Sequence, residues 1–275
     1  MTMIKELFSV YDIVIFAVIT GALVSVSAAL LGVSLVLKRF SMIGDGLSHV
    51  GFGASAVALA FGFTPLYVSV PVTVAAAFLL LRLDKNSKIK GDALIAVVSS
   101  SALAIGYTVT KLSGGANVDI SSFMFGSIYT ITKSDMIITV ILSVIMIALY
   151  FIFYNKLFSV TFDEEFARAT GIKVELYKVL LACLTAVTVA VGMRLMGALL
   201  MSSLIIFPVL TASNFCKSFR GVIISSLISG LGCFFGGLLL SFFLQASPGS
   251  SVVIVSLAVF LLALLLGKII NGRRV

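Results

Sequence analysis

Two residues in this chain have the types and spacing to do chemistry together: Asp45 and His49, within Ser41-Met-Ile-Gly-Asp-Gly-Leu-Ser-His-Val-Gly-Phe-Gly53. His49 is the only histidine, and Asp45 is a carboxylate set deep in an apolar stretch. Residues four apart on a helix project from one face, so a carboxylate oxygen and an imidazole nitrogen can reach a common atom. Such a pair suits a divalent transition metal. One His and one Asp cannot complete a tetrahedral site. Further ligands must come from water, backbone carbonyls, other side chains or a second copy of the chain.

The elements that position this pair are membrane spans. Of the 275 residues, 60% are hydrophobic and 11% charged, and the mean hydropathy is +1.23. That composition belongs to an all-α polytopic membrane protein and excludes a soluble domain. Charge-free runs cover Ile13–Leu37, Gly46–Leu81, Ala93–Thr110, Met136–Asn155, Val179–Met193, Leu195–Cys216 and Gly221–Gly267. The second breaks at Phe61-Gly-Phe-Thr-Pro65 and the last at Gln245-Ala-Ser-Pro-Gly-Ser-Ser251, both of turn chemistry. Nine candidate spans result, or eight if the short Val179–Met193 run does not cross. Met1–Asp12 reads as a short amphipathic lead, and the whole of residues 1–275 as a single transmembrane domain.

At a rise of about 1.5 Å per residue, Asp45 stands roughly 9 Å and His49 roughly 15 Å from Arg39, between the basic interface and the midplane. Gly44, Gly46, Gly51 and Gly53 flank the pair. They weaken a helix, as in the broken helices that line ion sites, and they also permit close approach of neighbouring helices. Ser99-Ser100-Ser101 in the fourth span could line a polar path or hydrogen-bond a neighbour. Pro208 should kink its span, and Gly230, Gly232, Gly236 and Gly237 offer a small-residue packing surface.

The net charge of +8 could suggest nucleic acid, but its placement argues otherwise. All of the 19 Lys and Arg except Lys5, Lys111, Lys133 and Arg194 fall in clusters at 38–39, 82–90, 156–178, 217–220 and 268–274. Spans separate these clusters in pairs, so all can lie on one side, which the positive-inside rule makes cytoplasmic. The C-terminus is then inside and, with nine spans, the N-terminus outside. Cys183, Cys216 and Cys233 have no metal-ligand or disulfide-framework spacing.

The largest cytoplasmic insertion, Lys156–Lys178, contains Thr161-Phe-Asp-Glu-Glu-Phe-Ala-Arg-Ala-Thr-Gly171. Thr161 as N-cap, Glu164 three residues on and Gly171 at the end predict a short capped helix. Ser113–Asp135 reads as a long outer loop able to dock a partner or cap a pore. No Gly-x-x-x-x-Gly-Lys occurs, so ATP is not bound in the usual way by this chain.

Three separated stretches carry a resemblance: Leu35–His49, Phe162–Gly171 and Met193–Pro208. In order and spacing they resemble the permeases of bacterial zinc, manganese and iron ABC importers (the Znu type), over nearly the whole chain. The resemblance implies a fold related to cobalamin and siderophore permeases. It implies a homodimer in the bacterial cell membrane, a separate ABC ATPase subunit docked on each copy, and an extracytoplasmic metal-binding protein that delivers the ion. Asp45 and His49 match the family's Asp-x-x-x-His pair for metal passage. Phe162, Asp163, Glu164, Glu165, Phe166, Ala167, Arg168 and Gly171 match its coupling helix, about 161–173, which sits in the ATPase groove. Zinc members often carry a histidine near Ser99–Ser101, where this chain has serines. The expected activity is uptake of Zn2+ or Mn2+, with no permanently bound cofactor, no enzymatic activity and no nucleic-acid partner. A secondary metal–proton exchanger could use the same pair, but it would not need the coupling helix; an intramembrane metalloenzyme would need a fuller ligand set.

Overall fold

The computed structural model describes residues 2–38, 40–86, 91–113, 120–126 and 133–272. Among them there are only helices and their connections. Chain in lipid must satisfy its backbone polar groups internally, and each apolar run does so by coiling. The helices are α1 (Thr2–Leu37), α2 (Ile43–Ala60), α3 (Pro65–Asn86), α4 (Gly91–Leu112), α5 (Ile120–Phe125) and α6 (Lys133–Ile152). They continue as α7 (Tyr154–Phe162), α8 (Glu164–Ala169), α9 (Val174–Met196), α10 (Ala198–Ser213), α11 (Phe219–Leu244) and α12 (Pro248–Gly272).

Among the described residues, seven helices are long and apolar enough to cross a membrane: α1, α3, α4, α6, α9, α11 and α12. The apolar α10 is shorter, at 16 residues, and α2 carries the ionisable pair. The expected eight to nine spans agree with this set. The short run at Val179–Met193 is part of a 23-residue helix, because Lys178 and Arg194 are taken into the ends of α9 rather than left in loops. The expected lead is helical and runs unbroken into the first span: α1 is continuous from Thr2, and its apolar crossing window is Val18–Leu37. The outer loop holds the short α5, and α6 already begins at Lys133.

Burial sorts the helices into a centre and a ring. In α1 and α9, 72% of the most apolar window is buried inside the molecule, against 22–28% in the other five crossing helices. With α2 and α10, whose residues are also largely buried, α1 and α9 form the core around Leu30, Leu47, Met193 and Leu204. Some buried hydroxyls close back on their own helices: Ser48 Oγ donates to Gly44 O at 2.8 Å and Thr185 Oγ1 to Leu181 O at 2.8 Å. Pro208 lies inside α10, which continues to Ser213. Its carbonyl accepts from Ser226 and Ser229 of α11, each at 3.4 Å. Two glycines of α11 serve packing within the chain, since a Cβ on Gly237 would meet Val252 of α12 and one on Gly230 would touch Ala29 of α1 at 3.4 Å, whereas Gly232 faces open space.

At the end opposite Lys38, Arg194 Nη1 donates to Asp135 Oδ1 at 3.0 Å, with both side chains largely buried. There α5 lies over the ends of the central helices, and Phe123 meets Phe52 of α2 edge-on, centroids 5.6 Å apart.

Candidate functional site

Glycines set the position of α2. A Cβ on Gly46 would come 2.6 Å from Ile95, and one on Gly53 would come 2.6 Å from the carbonyl oxygen of Ala102, both on α4. On other faces Gly44 meets Ile205 of α10, and Gly51 meets Met193 of α9, each at 2.7 Å. The helix is unbroken from Ile43 to Ala60. Of the two roles open to these glycines in the sequence, close helix approach is the one seen here.

So held, α2 presents Asp45 and His49 on one face, Oδ2 to Nε2 at 3.7 Å. Asp45 is in the first turn, where the positive end of the helix dipole favours a carboxylate. His49 is 19% exposed and Asp45 40%, so the pair is sheltered yet open on one side. The other carboxylate oxygen, Oδ1, lies 3.1 Å from Ser202 Oγ on α10. That hydroxyl also lies 3.2 Å from Ala198 O, and its single proton serves one acceptor at a time. Ser202 was not singled out in the sequence: it is 157 residues from Asp45 and looks like any small residue of a span.

Carboxylate, imidazole and hydroxyl together offer a divalent cation two strong ligands and one weak one. Among the described residues no group of three or more His, Cys, Asp or Glu could hold a metal. A partial shell of this kind suits an ion that must be able to leave, since binding then stays weak. On α4, Ile95, Ala102 and Gly106 all face α2, and Ser99 falls on the same stripe by its spacing. Ser100 is exposed and donates to Ala96 O of its own helix at 2.7 Å, rather than to a neighbour.

The expected short capped helix is present as α8, following α7, with a different cap. Thr161 belongs to the end of α7, where its hydroxyl donates to Leu157 O at 2.7 Å. Asp163 is the N-cap of α8, its Oδ1 accepting from the backbone N–H of Glu165 at 3.0 Å and Phe166 at 2.9 Å. Asp beside Thr offers a second cap, and the extended backbone at Asp163 decides between them. Gly171, at φ 81°, turns the chain out of α8 in a conformation glycine allows. Ala167 is fully buried in a small core with Val160 and Val174.

The eight residues expected to couple divide by direction. Phe162 and Phe166 are 61% and 62% exposed, and Glu165 is exposed beside them. Glu164 turns inward instead: it accepts from Lys38 at 2.9 Å and from Lys178 at 2.6 Å. Arg168 donates to Glu175 at 3.1 Å. Burial alone pushes the Glu164 carboxyl up, but the hydrogen bonds from Lys178 and Lys38 outweigh it and hold the group below its ordinary value. Burial pushes Lys38 down. Glu164 therefore ties α8 to Lys38, seven positions before Asp45 in sequence. Lys38 and Lys178 had been read from the sequence only as topogenic charges.

The chain is similar to several known membrane proteins. Over 209 residues the chain is 31% identical to the high-affinity zinc uptake system membrane protein ZnuB of Haemophilus influenzae, covering 76% of this chain and 80% of that one. It is 29% identical to the manganese import system permease protein ScaB of Streptococcus gordonii, over 75% of each chain. Among solved structures, PsaBC from Streptococcus pneumoniae in complex with Fab superposes with a TM-score of 0.81 at 28% identity, covering 94% of this chain and 95% of that one. The model of the ABC 3 transport family matches residues 10–267. The chain is a member of the ABC 3 transport family.

Proposed function

We propose that this chain, a multi-pass permease of the ABC 3 transport family, imports a divalent transition metal, zinc first and manganese or iron after it. The observation that carries the reading is Asp45, His49 and Ser202 converging on one half-sheltered spot of α2. Asp45 compensates the charge of the ion, and neutral His49 supplies affinity. Further ligands come from water, Ser99 or a second copy of the chain. The metal is cargo, and no resident cofactor is needed. The relatives named for zinc and manganese uptake make those ions the first to test.

The whole chain acts as one transmembrane domain, as a homodimer in the bacterial cell membrane. The basic end faces the cytoplasm: Lys38 and Lys178 meet there through Glu164, and positive residues favour that side. The C-terminus then lies inside and, with nine crossings, the N-terminus outside. A separate ATPase subunit hydrolyses ATP and docks on Phe162, Glu165 and Phe166. Its closure moves α8, and the Glu164 link carries that movement to the start of α2. An extracytoplasmic binding protein delivers the ion at the other end.

Vesicles containing this chain and its ATPase test the reading. Zinc uptake should require ATP and both chains, and unlabelled zinc should compete better than manganese. Uptake by the chain alone, driven by a proton gradient, would favour an exchanger and overturn the proposal.

A further inference from the structure

Between the ends of α1 and α3 and the first turns of α2 and α9, beside α8, lies a cavity of about 540 Å³. Lys38, Arg82, Arg168 and Lys178 line it, against a single lining carboxylate, Glu175. Even with Glu164, which Lys38 and Lys178 share, positive charge is in excess. Arg82 is exposed and, among the described residues, has no carboxylate within ion-pair distance. The remaining walls, including Leu35, Phe78, Leu81 and Ala182, are apolar.

Polarity in this cavity is graded with depth. Leu35 lies about one turn inside Lys38 on α1, Phe78 one turn inside Arg82 on α3, and Ala182 one turn inside Lys178 on α9. On all three helices the cation is at the end and the apolar side chain is further into the span. Phe78 is half exposed, so the apolar part opens to the surface.

We propose that this cavity binds an acidic phospholipid of the phosphatidylglycerol type from the adjacent leaflet. Its phosphate sits among Arg82, Lys178 and Lys38, and an acyl chain lies along Phe78 and Leu81. The guanidinium of Arg82 suits a phosphate oxygen pair, and basic pockets between spans on the cytoplasmic side favour anionic headgroups. A free anion would leave the apolar walls uncovered. A divalent cation is repelled by the excess positive charge, so this cavity is not the exit for the metal. The proposal rests on the membrane orientation given above and is independent of the transported ion.

The test is native mass spectrometry of the purified permease–ATPase complex, equilibrated with equal amounts of phosphatidylglycerol and phosphatidylcholine carrying the same acyl chains. Phosphatidylglycerol should be retained in preference. Arg82→Gln should cut that preference about fivefold, and Arg82→Lys should keep most of it. Equal retention of both lipids, or a preference indifferent to Arg82, would overturn the site. So would displacement by millimolar inorganic phosphate, which would mean that an anion suffices. Loss of the lipid on adding ATPase to the permease alone would instead make the cavity a protein-docking surface. Metal uptake is not among the readouts, so a wrong assignment of the metal leaves this test unaffected.

Discussion

Replacing Glu164 by Gln removes the charge that holds Lys38 and Lys178 together. Lys38 is only 10% exposed and Glu164 35%, so the triad lies between a surface pair and a buried one. An exposed pair contributes about 0–1 kcal/mol, while removing one partner of a buried pair costs about 3–5 kcal/mol, because the other charge is left uncompensated. Partial exposure screens this triad, so we expect Glu164→Gln to cost about 2 kcal/mol, a fall of roughly 4–8 °C in Tm for a domain of this size. The more telling variant is the double one. Lys38→Met alone leaves Glu164 with Lys178 and should cost less. Lys38→Met added to Glu164→Gln removes the stranded, nearly buried ammonium and should restore part of the lost Tm. The assay is thermal unfolding in detergent of the wild type, both single variants and the double. If the double variant loses the sum of the two singles, to within about 0.5 kcal/mol, the residues act independently and the link between α8 and α1 is refuted.

Four further outcomes follow from the same geometry. Because the folded-state value of Glu164 lies below the unfolded one, its stabilisation is complete above the unfolded carboxylate value of about 4.3 and fades as pH falls through the lower folded value. The Tm gap between wild type and Glu164→Gln should therefore hold from pH 6 to 8, at about its full size, and close below about pH 4. Glu165→Lys or Phe166→Ala should weaken ATPase association, measured by co-purification, with Tm changed by less than about 2 °C, since these side chains face solvent. Gly53→Val should destabilise by about 1–3 kcal/mol in the same unfolding assay, since its Cβ would stand 2.6 Å from the Ala102 carbonyl oxygen. Ser202→Ala should raise the metal concentration for half-maximal uptake by about tenfold, the lower end of what one hydrogen bond to a carboxylate is worth, with the protein still folded.

What could be read in the sequence follows from the physics of each feature. Spans were legible because lipid demands long apolar helices, and Pro65 and Pro248 mark the starts of α3 and α12 after the expected turns. The Asp45–His49 pair was legible because its geometry is local to one helix. Ser202 was not, since its role depends on α10 packing against α2, which no local spacing encodes. Within residues 161–173 a capped helix was evident. Its cap was misplaced because Thr161 and Asp163 are both good capping residues, and the turn between α7 and α8 decides which is used. The inward direction of Glu164 was hidden for the same reason: its lysine partners are 126 residues back and 14 residues on.

The central claim is that Asp45 carries the ion. The initial rate of zinc uptake into vesicles holding the permease–ATPase complex, compared for wild type and Asp45→Asn at equal protein, tests it most directly. Asn keeps the shape and the contact with Ser202 but removes the charge, so uptake should fall at least about tenfold while Tm stays near wild type. Wild-type uptake by Asp45→Asn would contradict the account and leave the pair a packing contact.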